Sequence, residues 1–203
     1  MRNLGVLISG RGSNLQALLD AAASGDLGGR VALVISNVAG AAGLERARRA
    51  GVAALVRDHR GGTREEHDRA MQADLTAHDV ELVCLAGYMR LLSPVLLDAY
   101  PHRVLNVHPS LLPAFPGLHA QRQAWEHGVK VSGATVHLVE PGLDTGPIVM
   151  QEAVPVLETD TAGDLAARIL EAEHRIYPRA VRLMLEGRCR VEGRRVRLAD
   201  TGP

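Results

Sequence analysis

The sequence contains few cysteines and has no excess of charge of either sign. Only two of its 203 residues are cysteines, Cys84 and Cys189, and no C-x-x-C spacing indicates a zinc site or a redox motif. Lysine plus arginine and aspartate plus glutamate number 23 each, so the formal net charge is zero and the composition does not indicate a surface that neutralises nucleic-acid phosphates. A small neutral or anionic ligand is therefore the expected partner.

The sequence also lacks a long hydrophobic run. The N-terminal segment MRNLGVLISG is apolar for only a few residues before Ser9 and Gly10, which is too short for a signal peptide or a membrane span. We expect a cytoplasmic protein without membrane contact. No repeat, low-complexity tract or linker divides the chain, and its 46% hydrophobic content suffices for one sizeable core. We expect a single domain over residues 1–203.

Short apolar runs alternate with longer helical patterns. Helical composition occurs in Asn14–Ala23 and Ala41–Ala50, and Thr63 with Glu66 forms a capping-box match that opens a helix toward Ala77. Such alternation is typical of βαβ units on a parallel sheet. The predicted strands are Leu4–Ile8, Val31–Ile35, Val52–Val56, Val80–Ala86 and Val104–Val107.

The pattern changes after Ser132. In GATVHLVEPGLDTGPIVMQEAVPV, two strand-like stretches flank a connection rich in glycine, proline and aspartate, which suits an antiparallel pair added to the sheet. Residues Thr161–Leu185 indicate one long helix, and we interpret the arginine-rich segment Arg188–Arg197 as a short, solvated hairpin. The predicted fold class is α/β: a Rossmann-like, mostly parallel twisted sheet with helices on both faces and an antiparallel C-terminal addition.

The first candidate site is ISGRGSNLQALL, residues 8–19. It follows the first predicted strand and opens the first helix, where backbone N–H groups and the helix dipole favour an anion. Gly10 and Gly12 permit a tight turn, while Ser13 and Asn14 offer donors or cap the helix. The spacing matches neither the dinucleotide motif nor the triphosphate motif, so a single phosphate fits better. On this pattern alone, simple turn and cap roles fit equally well.

The second candidate site combines NVHPSLLPAFPG with EPGLDTGPI. Asn106 and His108 end a predicted strand, at the edge of the sheet where ligands gather, and period-two spacing places them on one side. The amide can donate to a carbonyl oxygen, and the imidazole can transfer a proton near neutral pH. Asp144, in a glycine-rich loop, supplies a carboxylate that could orient His108 and favour its cationic form. Turn and backbone-bonding roles are the alternative for each residue.

Five segments resemble the family of folate-dependent phosphoribosylglycinamide (glycinamide ribonucleotide) formyltransferases of purine biosynthesis. They are GRGSNLQALL, LAGYMRLLSP, NVHPSLLPAFPGLHAQRQAWEHG, SGATVHLVEPGLDTGPIV and EHRIYP, and together they span nearly the whole chain. The resemblance implies the formyltransferase fold. It also implies transfer of a formyl group from the co-substrate 10-formyltetrahydrofolate to the amino group of 5-phosphoribosylglycinamide, with no metal required.

The resemblance implies roles for the matching residues. The implied catalytic residues are Asn106, His108 and Asp144. The substrate phosphate and glycinamide would bind at Gly12, Ser13, Asn14 and Glu173. The folate would bind at Arg64, Met89, Arg90, Leu91, Leu92, Asn106, Glu140, Pro141, Gly142, Leu143 and Asp144. We therefore expect a phosphate-binding half at about residues 1–100 and a folate-binding, catalytic half at about residues 101–203. For Arg64 and Glu173, a solvated helix face is the alternative.

Several other functions compete with formyl transfer to phosphoribosylglycinamide. Formyltetrahydrofolate hydrolase and methionyl-tRNA formyltransferase share the same three catalytic residue types, but each would carry a further domain that we do not expect in 203 residues. A nucleotide-binding oxidoreductase would need the dinucleotide glycine pattern. A non-catalytic folate-binding module would bind folate without turnover. The expected partners are small-molecule substrates, with no nucleic acid and no membrane, for a monomer or homodimer.

Overall fold

The predicted alternation builds one sheet in the computed structural model, which describes residues 1–199. Its strands are β1 (Arg2–Ile8), β2 (Gly29–Ser36), β3 (Ala53–Val56), β4 (Val80–Leu85), β5 (Val104–His108), β6 (Val131–Leu138), β7 (Ile148–Pro155), β8 (Cys189–Glu192) and β9 (Arg195–Leu198). In space they follow the order β3-β2-β1-β4-β5-β6-β7-β9-β8. The strands from β1 to β5 run parallel, and β6 and β7 add as antiparallel neighbours. The predicted fold class is confirmed.

Helices connect the strands, and two of them begin at capping boxes. The predicted box at Thr63 and Glu66 is present, and a second box joins Thr161 to Asp164. The helices are α1 (Ser13–Ala23), α2 (Ala42–Arg49), α3 (Arg64–Ala77), α4 (Pro94–Ala99), α5 (Ala120–Glu126) and α6 (Ala162–Leu185). Of these, α4 and α5 were not predicted, because a helix of two turns or fewer is too short to show a clear hydrophobic period.

The core lies on both faces of the sheet. Val6 and Ile8 of β1 belong to one buried cluster, which includes apolar side chains of α1, α2 and α6. Leu7, on the opposite face of the same strand, belongs to a second cluster with α3 and α4. Because successive side chains of a strand point to opposite faces, the continuous apolar run of β1 supplies apolar side chains to both faces of the sheet. A sheet covered by helices on both sides requires this. This arrangement confirms the prediction of helices on both faces.

The C-terminal hairpin has a further contact that the sequence did not predict. Strands β8 and β9 form the hairpin expected at Arg188–Arg197, but β9 also pairs with β7 through Ile148 and Arg195. Arg194 donates to the carbonyl of Thr145 over 3.2 Å. The hairpin thus extends the sheet and meets the edge of β7 at its first residue, Ile148.

Tyr177 attaches α6 to the sheet beside the carboxyl end of β5. Its side chain is fully buried, and its hydroxyl donates to the Leu85 carbonyl over 2.9 Å. The same hydroxyl lies 3.3 Å from the carbonyl of Leu105, the residue before Asn106. The longest helix therefore helps to fix the ends of the two strands from which the candidate site begins.

We predict that Tyr177→Phe lowers the free energy of unfolding by about 1–3 kcal/mol, because buried carbonyls lose a hydrogen-bond donor. Tyr88→Phe is the matched control. Tyr88 is also buried, but its hydroxyl donates to the weak acceptor Met71 Sδ at 3.7 Å rather than to a buried carbonyl, so a smaller loss is expected. Urea denaturation measures the free energy of unfolding of both variants. Equal losses would contradict the prediction, because they would show that the Tyr177 hydrogen bond stabilises the fold no more than the weak contact of Tyr88.

Candidate active site

A cavity of about 690 Å³ lies beyond the carboxyl ends of β4 and β5. This is the edge at which an open parallel sheet binds its ligands. The structure brings every residue predicted to bind folate to the wall of this cavity. They are Arg64, Met89, Arg90, Leu91, Leu92, Asn106, Glu140, Pro141, Gly142, Leu143 and Asp144.

Asn106 and His108 lie in the same wall, as their period-two spacing predicts. The antiparallel pairing of β5 with β6 sets His137 directly opposite Asn106. The Nδ1 atom of His137 lies 2.9 Å from the Leu138 carbonyl, which can only accept, so Nδ1 carries the proton. Its Nε2 atom then accepts from Asn106 Nδ2 over 3.2 Å. Burial lowers the pKa of His137, which agrees with this neutral ring.

Asp144 reaches this pair of strands from the loop between β6 and β7. Its backbone is left-handed, with φ of 54°, and a side chain at nearby Gly146 would collide with the Leu138 carbonyl. The Asp144 carboxylate accepts the N–H of Gly117 over 2.7 Å. Its oxygens lie 3.4 Å from His108 Nδ1 and 3.7 Å from His137 Nε2. The three predicted catalytic residues are thus together, and His137 is a fourth member.

His108 is buried, and both of its ring nitrogens face acceptors. Nε2 lies 2.8 Å from the Phe115 carbonyl, and Nδ1 faces the Asp144 carboxylate. Both ring nitrogens of His108 are thus held against fixed groups of the two loops, which orients the ring. His108 lines the cavity, where its spacing placed it, and it also makes the backbone contact that was the alternative role.

The loop from Pro109 to Gly117 is held by a side chain on β6. Thr135 Oγ1 donates to the Ser110 carbonyl over 2.7 Å and accepts the Leu112 N–H over 3.0 Å. The hydroxyl of Ser110 donates to the Ala114 carbonyl over 2.5 Å, which leaves it a structural role. The prolines provide no N–H groups, so the loop forms no helix or strand. The Thr135 and Ser110 hydroxyls therefore bond the backbone groups that a helix or strand would have paired. The stiff loop therefore places the Phe115 and Gly117 backbone against His108 and Asp144.

The Met89–Leu92 strip, which lines the same cavity, offers both apolar surface and backbone donors. The side chains of Met89 and Leu91 are 66% and 50% exposed. Within residues 1–199, the N–H groups of Arg90, Leu91 and Leu92 have no protein acceptor. The strip is fixed at its ends, where Met89 N–H donates to Ser9 Oγ and Ser93 N–H donates to Asp68. Such a strip can contact a flat aromatic ligand and donate hydrogen bonds to its edge.

The predicted phosphate loop turns tightly at the start of α1. Gly12 has φ of 71°, and a Cβ there would lie 2.7 Å from the Gly43 Cα, so the loop needs glycine for its own packing. Asn14 Nδ2 donates to Glu173 over 2.7 Å. Glu173 is 5% exposed, so it does not belong to a solvated helix face, and its burial raises its pKa to about 7. Ser13 is the member of this group whose side chain lines an open space.

A groove of about 600 Å³ runs between α1 and α6, beginning at Ser13. Its wall contains His174, Arg175 and Arg179, together with the acidic Asp20 and Asp26. Within the described residues, His174 Nε2 is buried without a hydrogen-bond partner. The sequence did not single out His174 as a site residue. The one signal in the sequence that could have identified His174 is its position next to Glu173 in the segment EHRIYP.

Neither cysteine is a plausible nucleophile. Cys84 is fully buried, and burial raises the pKa of its thiol to about 12. Cys189 lies on the terminal hairpin, remote in sequence from the cavity wall. Across residues 1–199, no group of three or more His, Cys, Asp or Glu side chains is arranged to hold a metal ion. No helix in that range is long and apolar enough to cross a membrane.

Comparisons with known proteins agree with this geometry. The chain is 45% identical to the phosphoribosylglycinamide formyltransferase of Escherichia coli, over 93% of its own length and 90% of that protein. It superposes with a TM-score of 0.97 on glycinamide ribonucleotide transformylase 1 from Symbiobacterium toebii, with 62% identity, covering 98% of this chain and 95% of the other.

The chain also resembles part of larger proteins. It is 46% identical, over 94% of its length, to the trifunctional purine biosynthetic protein adenosine-3 of Chironomus tentans, of which it spans only 14%. The profile of the Formyl transferase family matches residues 2–181. The chain therefore belongs to the formyl transferase family.

Proposed function

We propose that this chain transfers a formyl group from 10-formyltetrahydrofolate to the amino group of 5-phosphoribosylglycinamide. The products are formylglycinamide ribonucleotide and tetrahydrofolate, as in de novo purine biosynthesis leading to IMP. The observation that carries the proposal is the meeting of Asn106, His108 and Asp144 at the wall of a cavity large enough for a folate. The names of the similar proteins support the choice of substrates.

The formyl folate is proposed to lie along the Met89–Leu92 strip. The free N–H groups of Arg90–Leu92 would donate to the pterin, and the apolar side chains would cover its faces. Arg64, at the first turn of α3, would pair with a carboxylate of the glutamate tail. The segment Glu140–Leu143, next to Asp144, would cover the ligand from the opposite side. No metal has a role in this arrangement.

The proposed reaction is direct acyl transfer. The substrate amine attacks the formyl carbon, while Asn106 and protonated His108 stabilise the developing oxyanion, at about 3–4 kcal/mol per donor. The attacking nitrogen then loses a proton and the folate nitrogen gains one, through His108 or a water molecule near Asp144, as the carbon–nitrogen bond to folate breaks. For this step, the His108 ring must exchange one of its present acceptors, the Phe115 carbonyl, for the substrate oxygen.

The proposed reaction forms no covalent enzyme intermediate. The Cys84 thiol is buried with a raised pKa, and the Ser110 hydroxyl donates within its own loop. Holding the two substrates side by side therefore has to supply much of the rate acceleration. The proposed contribution of Asp144 is to keep the imidazolium oriented and to balance its charge.

The substrate phosphate is proposed to bind at the start of α1, where Ser13 opens into the groove lined by His174 and Arg179. The helix dipole and the Arg179 guanidinium favour an anion, and the half-buried His174 ring, whose pKa is lowered by burial, can donate a hydrogen bond as a neutral group. The buried pair of Asn14 and Glu173 would then lie between the phosphate and the glycinamide.

We propose a single domain in which residues on both sides of position 100 contribute to both ligand sites. Arg64 precedes that position and lines the folate cavity, whereas Glu173 follows it and bonds the phosphate loop. A cytoplasmic monomer or homodimer with small-molecule partners, and without nucleic-acid or membrane partners, completes the proposal. The formal net charge of zero supports the absence of a nucleic-acid partner.

The fate of the formyl carbon tests the reaction directly. With 10-formyltetrahydrofolate labelled with carbon-13 in the formyl group, we expect the label in the formamide of the product, because the amine is positioned to attack. Carbon NMR of the mixture measures this, and the matched control omits phosphoribosylglycinamide. Labelled formate in both reactions would identify a hydrolase instead, and unchanged folate in both would identify a binding module.

We predict that Ser13→Asp raises the KM for phosphoribosylglycinamide on the order of ten- to a hundredfold, because a carboxylate would repel the phosphate. An acidic residue is favourable in the first turn of a helix, so the fold should not be weakened. Ser13→Ala, the matched control, should stay within a few-fold of the wild type. Steady-state kinetics with each substrate varied gives both constants. An equal rise in the KM for formyl folate would contradict the assignment of the phosphate to this loop.

A further inference from the structure

One hydrogen-bond chain connects the loop after β1 to the folate strip, and the proposed reaction does not use it. The N–H of Ser9 donates to the Gly87 carbonyl over 3.1 Å, and the Met89 N–H donates back to Ser9 Oγ over 2.9 Å. Ser9 lies one residue beyond β1, in the same segment as Gly12 and Ser13. Ser9 thus contacts Gly87, two residues before the strip, through its backbone, and Met89, the first residue of the strip, through its side chain.

The direction of each bond follows from proton counting. The Ser9 hydroxyl has one proton and accepts from Met89, so it donates to Asn37 Oδ1, which lies 2.6 Å away. The Asn37 side chain is thereby oriented with its amide nitrogen toward His59 Nδ1, at 3.3 Å. An amide nitrogen can only donate, whereas the Asn37 backbone carbonyl, 3.4 Å from the same Nδ1 atom, can only accept, so a neutral His59 ring bonds one or the other of these two Asn37 groups. Asn37 is 5% exposed, so water has little access to the middle of the chain of bonds.

We propose that Ser9, oriented by Asn37 and His59, is a positioning residue that holds the Met89–Leu92 strip in the conformation that receives the formyl folate. This inference rests on the proposed function, because it assumes that the strip binds folate. It adds three residues that contact neither substrate in the proposed arrangement.

The need for such a residue follows from the lack of regular structure in the strip. Residues 89–92 lie between β4 and α4 and belong to no helix or strand. The other anchor of the strip, the bond from Ser93 N–H to Asp68, lies beyond its far end. Without the Ser9 hydroxyl, the peptide group before Met89 would lose its only side-chain contact among the described residues. Folate would then have to order the strip on binding, which weakens affinity.

The test compares Ser9→Ala with Ser36→Ala. Ser36 is the matched control because it also lies at a strand end and bridges two backbone groups, with its hydroxyl bonded to the carbonyl and the N–H of Val38. It directly precedes Asn37, so it also reports general loosening of that loop. Ser9→Ala leaves a buried acceptor and an N–H without a partner, and we expect tetrahydrofolate binding to weaken on the order of tenfold. Ser36→Ala should bind tetrahydrofolate like the wild type.

Calorimetry with tetrahydrofolate gives the affinities, and steady-state kinetics gives a second readout. For Ser9→Ala, the KM for formyl folate should rise on the order of tenfold, with kcat and the KM for phosphoribosylglycinamide within about twofold of the wild type. Ser9→Thr, which keeps the hydroxyl, should restore most of the affinity. Urea denaturation should show similar stability losses for the two alanine variants.

Unchanged tetrahydrofolate affinity in Ser9→Ala would overturn the inference, as would equal weakening in Ser36→Ala. An equal rise in both KM values for Ser9→Ala would also overturn it, since that would indicate general damage to the site. Failure of the proposed function is distinguishable. In that case the wild type would transfer no formyl group to the amine, while the calorimetric comparison would still support or refute the role of Ser9.

Discussion

The Asp144 carboxylate is the contact on which the candidate site depends. It accepts the N–H of Gly117 and lies within 3.4 Å of His108 Nδ1, so it joins the β6–β7 loop to the proline-rich loop after β5. The two loops are brought within reach because β6 runs antiparallel to β5. A parallel neighbour at this position would need a long crossover and would not set His137 opposite Asn106. The change from parallel to antiparallel pairing therefore creates the site.

Two parts of the lining of the proposed folate cavity differ in how they are stabilised. Around His108, nearly every polar atom is bonded to the protein: Thr135 holds the loop, and the Phe115 carbonyl and Asp144 face the ring. In the Met89–Leu92 strip, the N–H groups of Arg90, Leu91 and Leu92 have no acceptor among residues 1–199, and the strip is fixed at its ends. The first arrangement suits groups that must be oriented before reaction. The second suits a surface that completes its hydrogen bonds only with a ligand.

The parts of this structure that the sequence predicts are those with local causes. Period two placed Asn106 and His108 on one side of β5, and the Thr63 capping box marked the start of α3. Contacts between distant segments have no local signal: His137 meets Asn106 from 31 positions away, and Asn14 meets Glu173 from 159 positions away. For Asp144, glycine and proline indicated a loop but not its destination. The residue types suggested that it could orient His108 and the family resemblance implied the same, but no local pattern placed the two together; the folded chain shows the contact.

The central claim is that Asp144 and His108 act as one unit in catalysis, and a double-mutant cycle in kcat tests it most directly. The account predicts that His108→Ala and Asp144→Asn each lower kcat on the order of a hundredfold or more, while both substrates bind within a few-fold of their wild-type affinity. The double variant should be little worse than the more damaging single variant, since residues that act as a unit are not additive. If the fold-loss in kcat of the double variant equals the product of the two single losses, the two residues act independently. That result would contradict the central claim and leave Asp144 with only a structural role in its loop.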